Sequence, residues 1–352
     1  NAKIFYFTAS WVIFEILRSH MFTGLPWNLI CYSWSWSPHF IQSLSLIGPY
    51  GLGIISVLCS CLIFSFRFKL LDSIIAISGI LTLVLVYLYG LERIENYKEA
   101  YSSNIDVRII GTNINQKDKW LESTRNIVNK MQSETSLTII PETMAGLKKL
   151  KGDNLLQGYL RKEGSKYYNS IAYNGFTYDK KHLVPFGEYV PFRGVPLIDA
   201  IAGPSDFSSG QPQPALRIPP FGSIAILICY EVVFPDFLAR QKREERPDLM
   251  VNLTNDGWFG LTAGPWQHLA QARMRAVEEG IPVMRAANTG ISAGIDGYGR
   301  LLGLLPLGKS GSIDISVPPA LSATFYSQNR FFGVGLILFW LIFGALFLVK
   351  RI

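Results

Sequence analysis

The sequence predicts an α/β sandwich domain carried between membrane-spanning helices, and three observations lead to this fold class. First, 49% of the 352 residues are hydrophobic and only 17% are charged, whereas soluble domains carry about 25% charged residues. Second, the apolar residues are concentrated in long blocks that contain almost no charge. Third, the polar segment between these blocks alternates short strands with helices, which is typical of α/β folds.

Three apolar blocks have the composition of membrane-spanning helices. A span requires about 20 mostly apolar residues. The runs 44–66 and 331–349 contain no charged residue, and the run 70–90 contains one, Asp72. A buried helix of a soluble core is the alternative for each block, but uncharged runs of this length are rare in such cores. The blocks are therefore interpreted as membrane spans.

A fourth apolar run, at 4–17, is shorter and contains Glu15, so a buried helix is as compatible with it as a span. The chain starts at Asn1 without the pattern of a signal sequence, and we expect further membrane segments upstream of it. We expect the chain to divide into a partial membrane domain over 1–90, with spans at about 4–17, 44–66 and 70–90, a polar domain over 91–330, and a C-terminal span at 331–349.

Positive charges flanking the apolar blocks predict the orientation in the membrane. Arg67 and Lys69 lie between two blocks, and Lys350 and Arg351 follow the last one. Lys and Arg favour the cytoplasmic side of a membrane. One predicted span separates the segment 91–330 from each of these two pairs of cations. The segment is therefore expected on the opposite side of the membrane, which is the periplasm of a Gram-negative cell.

Individual elements can be located within the polar segment. Runs of apolar and β-branched residues predict buried strands at 107–113, 137–140, 223–230, 249–253 and 283–287. Helical spacing predicts helices at 120–131 and 266–279. The residues from Met144 to Lys166 are mostly polar, rich in Gly and Lys, and show no clear strand.

Three reactive side chains lie at or just after strand ends, where α/β folds place their sites. Glu142 and Cys229 end apolar runs, and Lys180 lies in the loop after another short strand. A cysteine becomes nucleophilic when a base removes its proton or a cation stabilises its thiolate. Glu142 could act as that base, and Lys180 could stabilise the thiolate and then the oxyanion of a tetrahedral intermediate. Two further carboxylates could orient the lysine, Glu188 and Glu231.

Other kinds of site fit the sequence less well. No G-x-S-x-G pattern indicates a serine hydrolase. A Cys-His pair could join Cys229 to His182 or His268, and nothing in the sequence selects either. The four histidines are scattered, so no metal site is expected. The formal charge of +7 does not form a basic stripe, which argues against nucleic-acid binding.

Longer stretches of sequence carry a family resemblance. The order Glu142, Lys180, Cys229 resembles the Glu-Lys-Cys triad of the nitrilase, or carbon–nitrogen hydrolase, superfamily. The surrounding sequence resembles the membrane-anchored branch of that superfamily, the bacterial apolipoprotein N-acyltransferases. The stretches that carry this resemblance are 22–27, 113–120, 180–191, 229–231, 255–260, 264–276 and 288–292.

The resemblance implies a nitrilase-like αββα sandwich inserted between transmembrane helices of the bacterial inner membrane, facing the periplasm. It implies transfer of an acyl chain from a phospholipid, with phosphatidylethanolamine as the expected donor, to the N-terminal amine of a diacylglyceryl-cysteine lipoprotein. Cys229 would carry the acyl chain as a thioester, Glu142 would move protons, and Lys180 would stabilise the oxyanion, without a cofactor. Four supporting residues are implied, namely Trp120, Glu188, Tyr230 and Glu231. Members of the family usually have a further strand before the segment that 168–170 resembles, so we expect one strand of this sandwich to be missing or degraded over 144–166.

Two rival functions remain open at this stage. A membrane-tethered amidase or nitrile hydrolase would use the same three residues on a soluble substrate. A catalytically inactive remnant would keep only binding of lipid or lipoprotein, and the short stretch between Glu142 and Lys180 favours it. The three intact reactive residues favour an acyltransferase instead.

Overall fold

A computed structural model describes residues 2–64, 70–95, 106–115, 118, 121–131, 137–191, 206–211, 213–240 and 245–349. The implied supporting residue Trp120 lies outside these residues. The cations used to predict membrane orientation, Arg67, Lys69, Lys350 and Arg351, also lie outside them.

Six longer helices lie within the described residues: α1 (Ala2–His20), α2 (Leu44–Phe64), α3 (Leu70–Glu95), α4 (Glu122–Lys130), α5 (Gly264–Glu279) and α6 (Phe332–Val349). Shorter helices occupy Pro38–Ile41, Phe237–Arg240 and Phe325–Gln328, and 3₁₀ turns occupy Ile30–Trp34, Cys229–Val233 and Asp256–Trp258.

The described strands form two six-stranded sheets. The first sheet has the order β12-β1-β2-β3-β4-β5, with β1 (Asp106–Gly111), β2 (Leu137–Ile140), β3 (Leu155–Glu163), β4 (Lys166–Tyr173), β5 (Phe176–Asp179) and β12 (Gly311–Ser316). The second has the order β11-β10-β9-β8-β7-β6, with β6 (Leu216–Ile218), β7 (Gly222–Ile228), β8 (Leu249–Asn255), β9 (Val283–Asn288), β10 (Ser292–Ile295) and β11 (Leu301–Leu305). The central pairs β1–β2, β2–β3, β7–β8 and β8–β9 are parallel.

The two sheets face each other across a core of aliphatic side chains. Ile109 and Ile139 of the first sheet join Ile226 and Val251 of the second in one buried cluster. On the outer face of the first sheet, helix α4 contributes Val128 to a further apolar cluster. Helix α5 lies on the outer face of the second sheet and contributes several small and aliphatic side chains to another apolar cluster. The layers therefore run helix, sheet, sheet, helix, and the predicted α/β sandwich is confirmed.

The expected loss of a strand between Met144 and Lys166 is wrong. Strand β3 runs over Leu155–Glu163 and pairs with β2 on one side and β4 on the other. Its first half is buried, whereas its last residues are charged and exposed. The charged half finds local partners, since Arg161 contacts Asp179 at 2.7 Å. Polar residues at the rim of the sheet hid the strand from a search for apolar runs.

Three predicted boundaries also shift. The strand expected at 107–113 ends at Gly111, and the helix expected at 120–131 is described over Glu122–Lys130. The strand expected at 223–230 ends at Ile228, because Cys229 begins a tight 3₁₀ turn. Cys229 therefore lies in a turn directly after the strand, at the edge of the sheet.

The apolar runs outside the sandwich are helical. Leu44–Phe64 and Ala76–Glu95 are long and apolar enough to cross a membrane, and the apolar stretch Phe332–Phe343 in α6 is shorter. Side chains from α1, α2 and α6 form one apolar cluster. Met274 and Val277 of α5 belong to the same cluster. Helix α5 thus lies between the second sheet and the apolar helices.

Candidate active site

Glu142 is held at the end of β2 by an unusually close backbone approach. It follows Pro141 directly after the strand, and its side chain is buried. The chain crosses over Gly158 of β3, where an added Cβ would lie 2.6 Å from the Cα of Glu142. The next residue, Thr143, has φ of 54°, in the left-handed region that β-branched residues rarely adopt. This sharp turn directs the carboxylate into the interior at the sheet edge.

Lys180 follows β5 and is fully buried between carboxylates. Its Nζ lies 2.8 and 2.7 Å from the two oxygens of Glu188 and 3.9 Å from Oε1 of Glu142. Burial opposes its charge, but Glu188, Cys229 and Glu142 outweigh burial and raise the pKa of the ammonium above its ordinary value. Lys180 therefore remains a cation and can stabilise an anion that forms beside it.

Cys229 occupies a strained elbow between β7 and a 3₁₀ turn. Its φ is 49°, in the left-handed region, and its side chain is 9% exposed. Burial raises the pKa of the thiol to about 12, Glu142 adds to this effect, and Lys180 opposes it. The thiol is therefore neutral at physiological pH, and its reaction as a nucleophile requires a base to take the proton.

Glu231 links the cysteine elbow to the lysine loop. Its carboxylate accepts backbone N–H bonds from Ile228 at 2.8 Å, Lys181 at 2.7 Å and His182 at 3.1 Å. The hydroxyl of Tyr178 donates to the same group at 3.2 Å. Ile228 precedes Cys229 and Lys181 follows Lys180, so Glu231 ties the backbone beside the cysteine to the backbone beside the lysine.

Tyr230 and Trp27 connect the sandwich to the segment after helix α1. The hydroxyl of Tyr230 donates to the carbonyl of Gly24 at 3.0 Å. Trp27 donates from its indole N–H to Gln267 at 2.9 Å, and its ring lies 5.1 Å from that of Phe259. The stretch 22–27, which the sequence grouped with the membrane domain, is thus part of the wall around the cysteine.

His268 contacts the backbone of Cys229. Its Nε2 lies 3.2 Å from the carbonyl oxygen of Cys229, and its Nδ1 lies 2.9 Å from Asp256. Asp256 also contacts buried Arg285 at 2.7 Å. Burial, with help from Arg285, lowers the pKa of His268, which favours the neutral ring. His182, the other histidine considered as a partner, packs its ring 4.0 Å from Phe234.

The predicted reactive residues open onto one cavity of about 420 Å³. Glu142, Lys180, Glu188 and Cys229 form its polar end. The remaining wall is mainly apolar and aromatic, and is formed by Leu25, Trp27, Val184, Gly187, Tyr230, Trp258, Phe259 and His268. An ester or amide carbonyl at the polar end would have its apolar substituent in the aromatic part. Within the described part of the chain, no group of three His, Cys, Asp or Glu side chains could hold a metal ion.

Sequence reasoning did not single out Asn169. This buried residue of β4 donates from its side chain to both Glu142 and Glu188. The stretch 168–170 resembles a segment of the family, but nothing in it gives the asparagine a role, and only the three-dimensional structure shows its contacts. Trp27 was likewise recognised only as part of a motif, because nothing in its own neighbourhood in the sequence points toward Cys229.

Two family models match separate parts of the chain. A family model of the apolipoprotein N-acyltransferase N-terminal domain matches residues 1–62, and a carbon–nitrogen hydrolase model matches residues 121–324. A solved structure of glutamine-dependent NAD+ synthetase from Acinetobacter baumannii covers 60% of this chain and is itself covered to 45%. The sequence identity is 13% and the TM-score is 0.41, and these values are too low to support a conclusion about this chain.

Curated relatives extend over nearly the whole chain. The apolipoprotein N-acyltransferase of Rickettsia bellii is 34% identical in an alignment 390 positions long, gaps included. The alignment covers 99% of this chain and 76% of that protein. The enzyme of the same name from Rhodopseudomonas palustris is 33% identical over 382 residues, covering 93% of this chain and 70% of that protein. The chain belongs to the apolipoprotein N-acyltransferase family.

Proposed function

We propose that this chain N-acylates lipoproteins through a thioester on Cys229. Lipoprotein N-acylation is the activity in the name of the family to which the chain belongs. The observation that carries the residue assignment is the convergence of Glu142, Lys180 and Cys229 on one cavity with an aromatic wall. We further propose phosphatidylethanolamine as the acyl donor and a diacylglyceryl-cysteine lipoprotein as the acceptor.

The first half-reaction forms the acyl-enzyme. Glu142 takes the thiol proton as the sulfur of Cys229 attacks the carbonyl carbon of the sn-1 ester. The ammonium of Lys180 stabilises the resulting oxyanion. The carbon–oxygen bond to glycerol then breaks, Glu142 returns the proton to the leaving oxygen, and lysophospholipid departs. The high pKa of the thiol supports the need for a base in this step.

The second half-reaction transfers the acyl chain to an amine. The neutral α-amine of the acceptor attacks the thioester carbonyl, and Lys180 again stabilises the oxyanion. The carbon–sulfur bond breaks as the amide forms, Glu142 takes the proton lost by the amine, and a proton returns to the sulfur of Cys229. The reaction needs no cofactor, because each proton moves between the substrates and Glu142.

A membrane location suits both substrates, since their acyl chains remain in the bilayer. The family is membrane-bound, and two described helices are long and apolar enough to span a membrane. We propose several spans, a domain over 91–330 in the periplasm, and a final span at 331–349. Asp153 is exposed on this domain. With Asp153→Cys, a maleimide that does not cross membranes should label intact spheroplasts, whereas labelling only after lysis would place the domain in the cytoplasm.

One experiment tests the chemistry. Purified protein in phosphatidylethanolamine vesicles is given donor labelled in the sn-1 chain, and the peptide that contains Cys229 is analysed. We expect a hydroxylamine-sensitive label that is absent from Cys229→Ser and present in Cys61→Ser, a matched change in helix α2. A diacylglyceryl peptide with a free amine should then remove the label as a hydroxylamine-resistant amide, whereas an N-acetylated peptide should not.

The same experiment separates the rival functions. An inactive remnant would fold but acquire no label, and that result would refute the proposed function. A membrane-tethered amidase would release free fatty acid at the same rate with or without the acceptor, and would hydrolyse a soluble amide in the absence of phospholipid.

A further inference from the structure

Asn169 contacts three of the groups assigned to the reaction. Its side-chain Nδ2 donates to Oε1 of Glu142 and, at 3.1 Å, to Oε1 of Glu188. Its backbone carbonyl accepts the N–H of Lys180 at 2.8 Å. The residue is 3% exposed, so these bonds are shielded from water. The side chain of Asn169 therefore joins the proposed base to Glu188, and its backbone holds the backbone of Lys180.

The chemistry of the contacts fixes the orientation of the amide. Both partners are carboxylate oxygens, which accept hydrogen bonds and repel an amide oxygen. The amide nitrogen carries two hydrogens, one for each carboxylate. Bonds from a neutral donor to ionised acceptors are stronger than bonds between neutral groups. Asn169 can thus stabilise two anions at once without bringing a charge of its own.

The charge balance of the site shows why such a donor is needed. Two buried carboxylates face one ammonium, and Lys180 lies closer to Glu188, at 2.7 Å, than to Glu142, at 3.9 Å. Two neighbouring carboxylates repel each other, and Glu142 is farther from the ammonium than Glu188 is. Of the titratable groups in the described part of the chain, Lys180 from the end of β5, Glu188 from the following loop and Cys229 from the end of β7 lie around Glu142. A second cation here would compete with Lys180 for Glu188.

We propose that Asn169 is a positioning residue that keeps Glu142 ionised and oriented toward the thiol of Cys229, while Glu188 holds Lys180. In the step concerned, the S–H bond breaks, the proton moves to Glu142, and the sulfur electron pair attacks an electrophile. Asn169 exchanges no proton. The inference rests on the proposed function for the identity of the natural electrophile, but the proton transfer can be measured with a simple alkylating reagent.

The test follows alkylation of Cys229 by iodoacetamide as a function of pH. The full chain in detergent is reacted between pH 5 and pH 9, and the modified Cys229 peptide is quantified by mass spectrometry. Asn169→Ala removes the donor, Asn169→Asp replaces it with a third carboxylate, and Asn169→Ser retains one short donor. Ile171→Val is the matched control, because Ile171 lies two residues along the same strand in the core between the sheets.

We expect the acid limb of the alkylation profile to move to higher pH in the variants that lack the donor. The displacement should be at least about one pH unit in Asn169→Asp, smaller in Asn169→Ala and smallest in Asn169→Ser. Alkylation at pH 7 should fall by roughly 10- to 100-fold in Asn169→Asp, which is a partial loss of the roughly 100- to 10,000-fold that general-base catalysis contributes. Ile171→Val should keep the profile of the unmodified protein.

Two outcomes would overturn the inference. Folded Asn169 variants with an unchanged profile would show that the residue has no part in the proton transfer. A uniform loss of rate with the acid limb in place would show a purely structural role. A separate assay for the thioester with labelled phospholipid distinguishes the two proposals, because a displaced acid limb without thioester in the unmodified protein supports Asn169 while contradicting the acyltransferase.

Discussion

The backbone of Glu142 packs directly against Gly158. A residue with a side chain at position 158 would not allow the two backbones to come this close. A Cβ atom at Gly158 would stand 2.5 Å from the carbonyl oxygen of Pro141 and 2.6 Å from the Cα of Glu142. These neighbours are backbone atoms, so they cannot turn aside as the end of a flexible side chain could. The absence of a side chain at Gly158 therefore allows the proposed base, Glu142, to occupy its position beside β3.

Replacing this glycine should move the base and leave the fold in place. We expect Gly158→Ala to displace Glu142 and to lower thioester formation by at least about 10-fold, because a misplacement near 1 Å can cost about 100-fold. Gly164→Ala is the control. Gly164 lies in the β3–β4 hairpin with open space around it and φ of 58°, so its replacement should cost roughly 1 kcal/mol of stability and little activity. Equal losses of activity in both variants would contradict this assignment.

Removing the buried cation should destabilise the protein through the carboxylates it leaves behind. Lys180→Met leaves Glu142 and Glu188 buried without their ammonium, and breaking a buried ion pair costs about 3–5 kcal/mol. We expect a large drop in the thermal unfolding midpoint and loss of the thioester. Adding Glu188→Gln should restore part of the stability and none of the activity. Recovery of activity in the double variant would show that Lys180 does not stabilise the oxyanion.

The free energy of unfolding should depend on pH through Glu231, and the direction of the change follows from the raised pKa of this residue. Burial raises its pKa from 4.5 to about 7, although the bonds from Ile228, His182 and Lys181 and the charge of Lys180 oppose this. The folded protein therefore holds this proton more tightly than the unfolded chain, and stability falls as pH rises from 4.5 through 7. Glu231→Gln removes this contribution. It should be less stable than the unmodified protein at pH 5, with a smaller difference at pH 8.

The activity of Glu231→Gln provides a second readout of the same residue. An amide has one acceptor oxygen, so at least one backbone N–H at Ile228, Lys181 or His182 loses its partner. We expect thioester formation to fall by at least about 10-fold, with little change in the affinity for phospholipid. A difference in unfolding midpoint that stays constant between pH 5 and pH 8 would rule out the raised pKa.

Trp27 should matter more for long acyl chains than for short ones. Its ring lines the cavity beside Phe259 and His268, where apolar contact with a chain would be greatest. We expect Trp27→Ala to slow thioester formation from a long-chain phospholipid by roughly 10-fold or more, since removing a large aromatic contact costs more than 1 kcal/mol. A dihexanoyl donor should be affected less. Trp27→Phe, which loses the bond to Gln267 but keeps a ring, serves as the control.

The sequence identified the elements of this fold with differing success, for physical reasons. Strand 137–140 and the strand beginning at Leu249 were visible because both faces of a central parallel strand are buried and apolar. Strand β3 was missed because its second half lies at the rim of the sheet, where Arg161 finds partners in Asp179 and Glu163. A search for apolar runs detects buried apolar segments, and it cannot detect a strand whose second half is polar and pairs its charges at the rim of the sheet.

What the sequence alone determined was the set of candidate reactive groups: a glutamate, a lysine and a cysteine at the ends of strands, with long apolar blocks on either side of the domain that carries them. What only the tertiary structure decided was how these groups act on one another. Glu142 and Lys180 follow strands of the first sheet and Cys229 follows a strand of the second, so the distance of the cysteine from the other two depends on packing between the sheets. The contacts of Asn169 depend on strand pairing within the first sheet, and those of His268 depend on the packing of α5 against the second. Spacing along the chain cannot encode such distances, because each results from many weak contacts in the core.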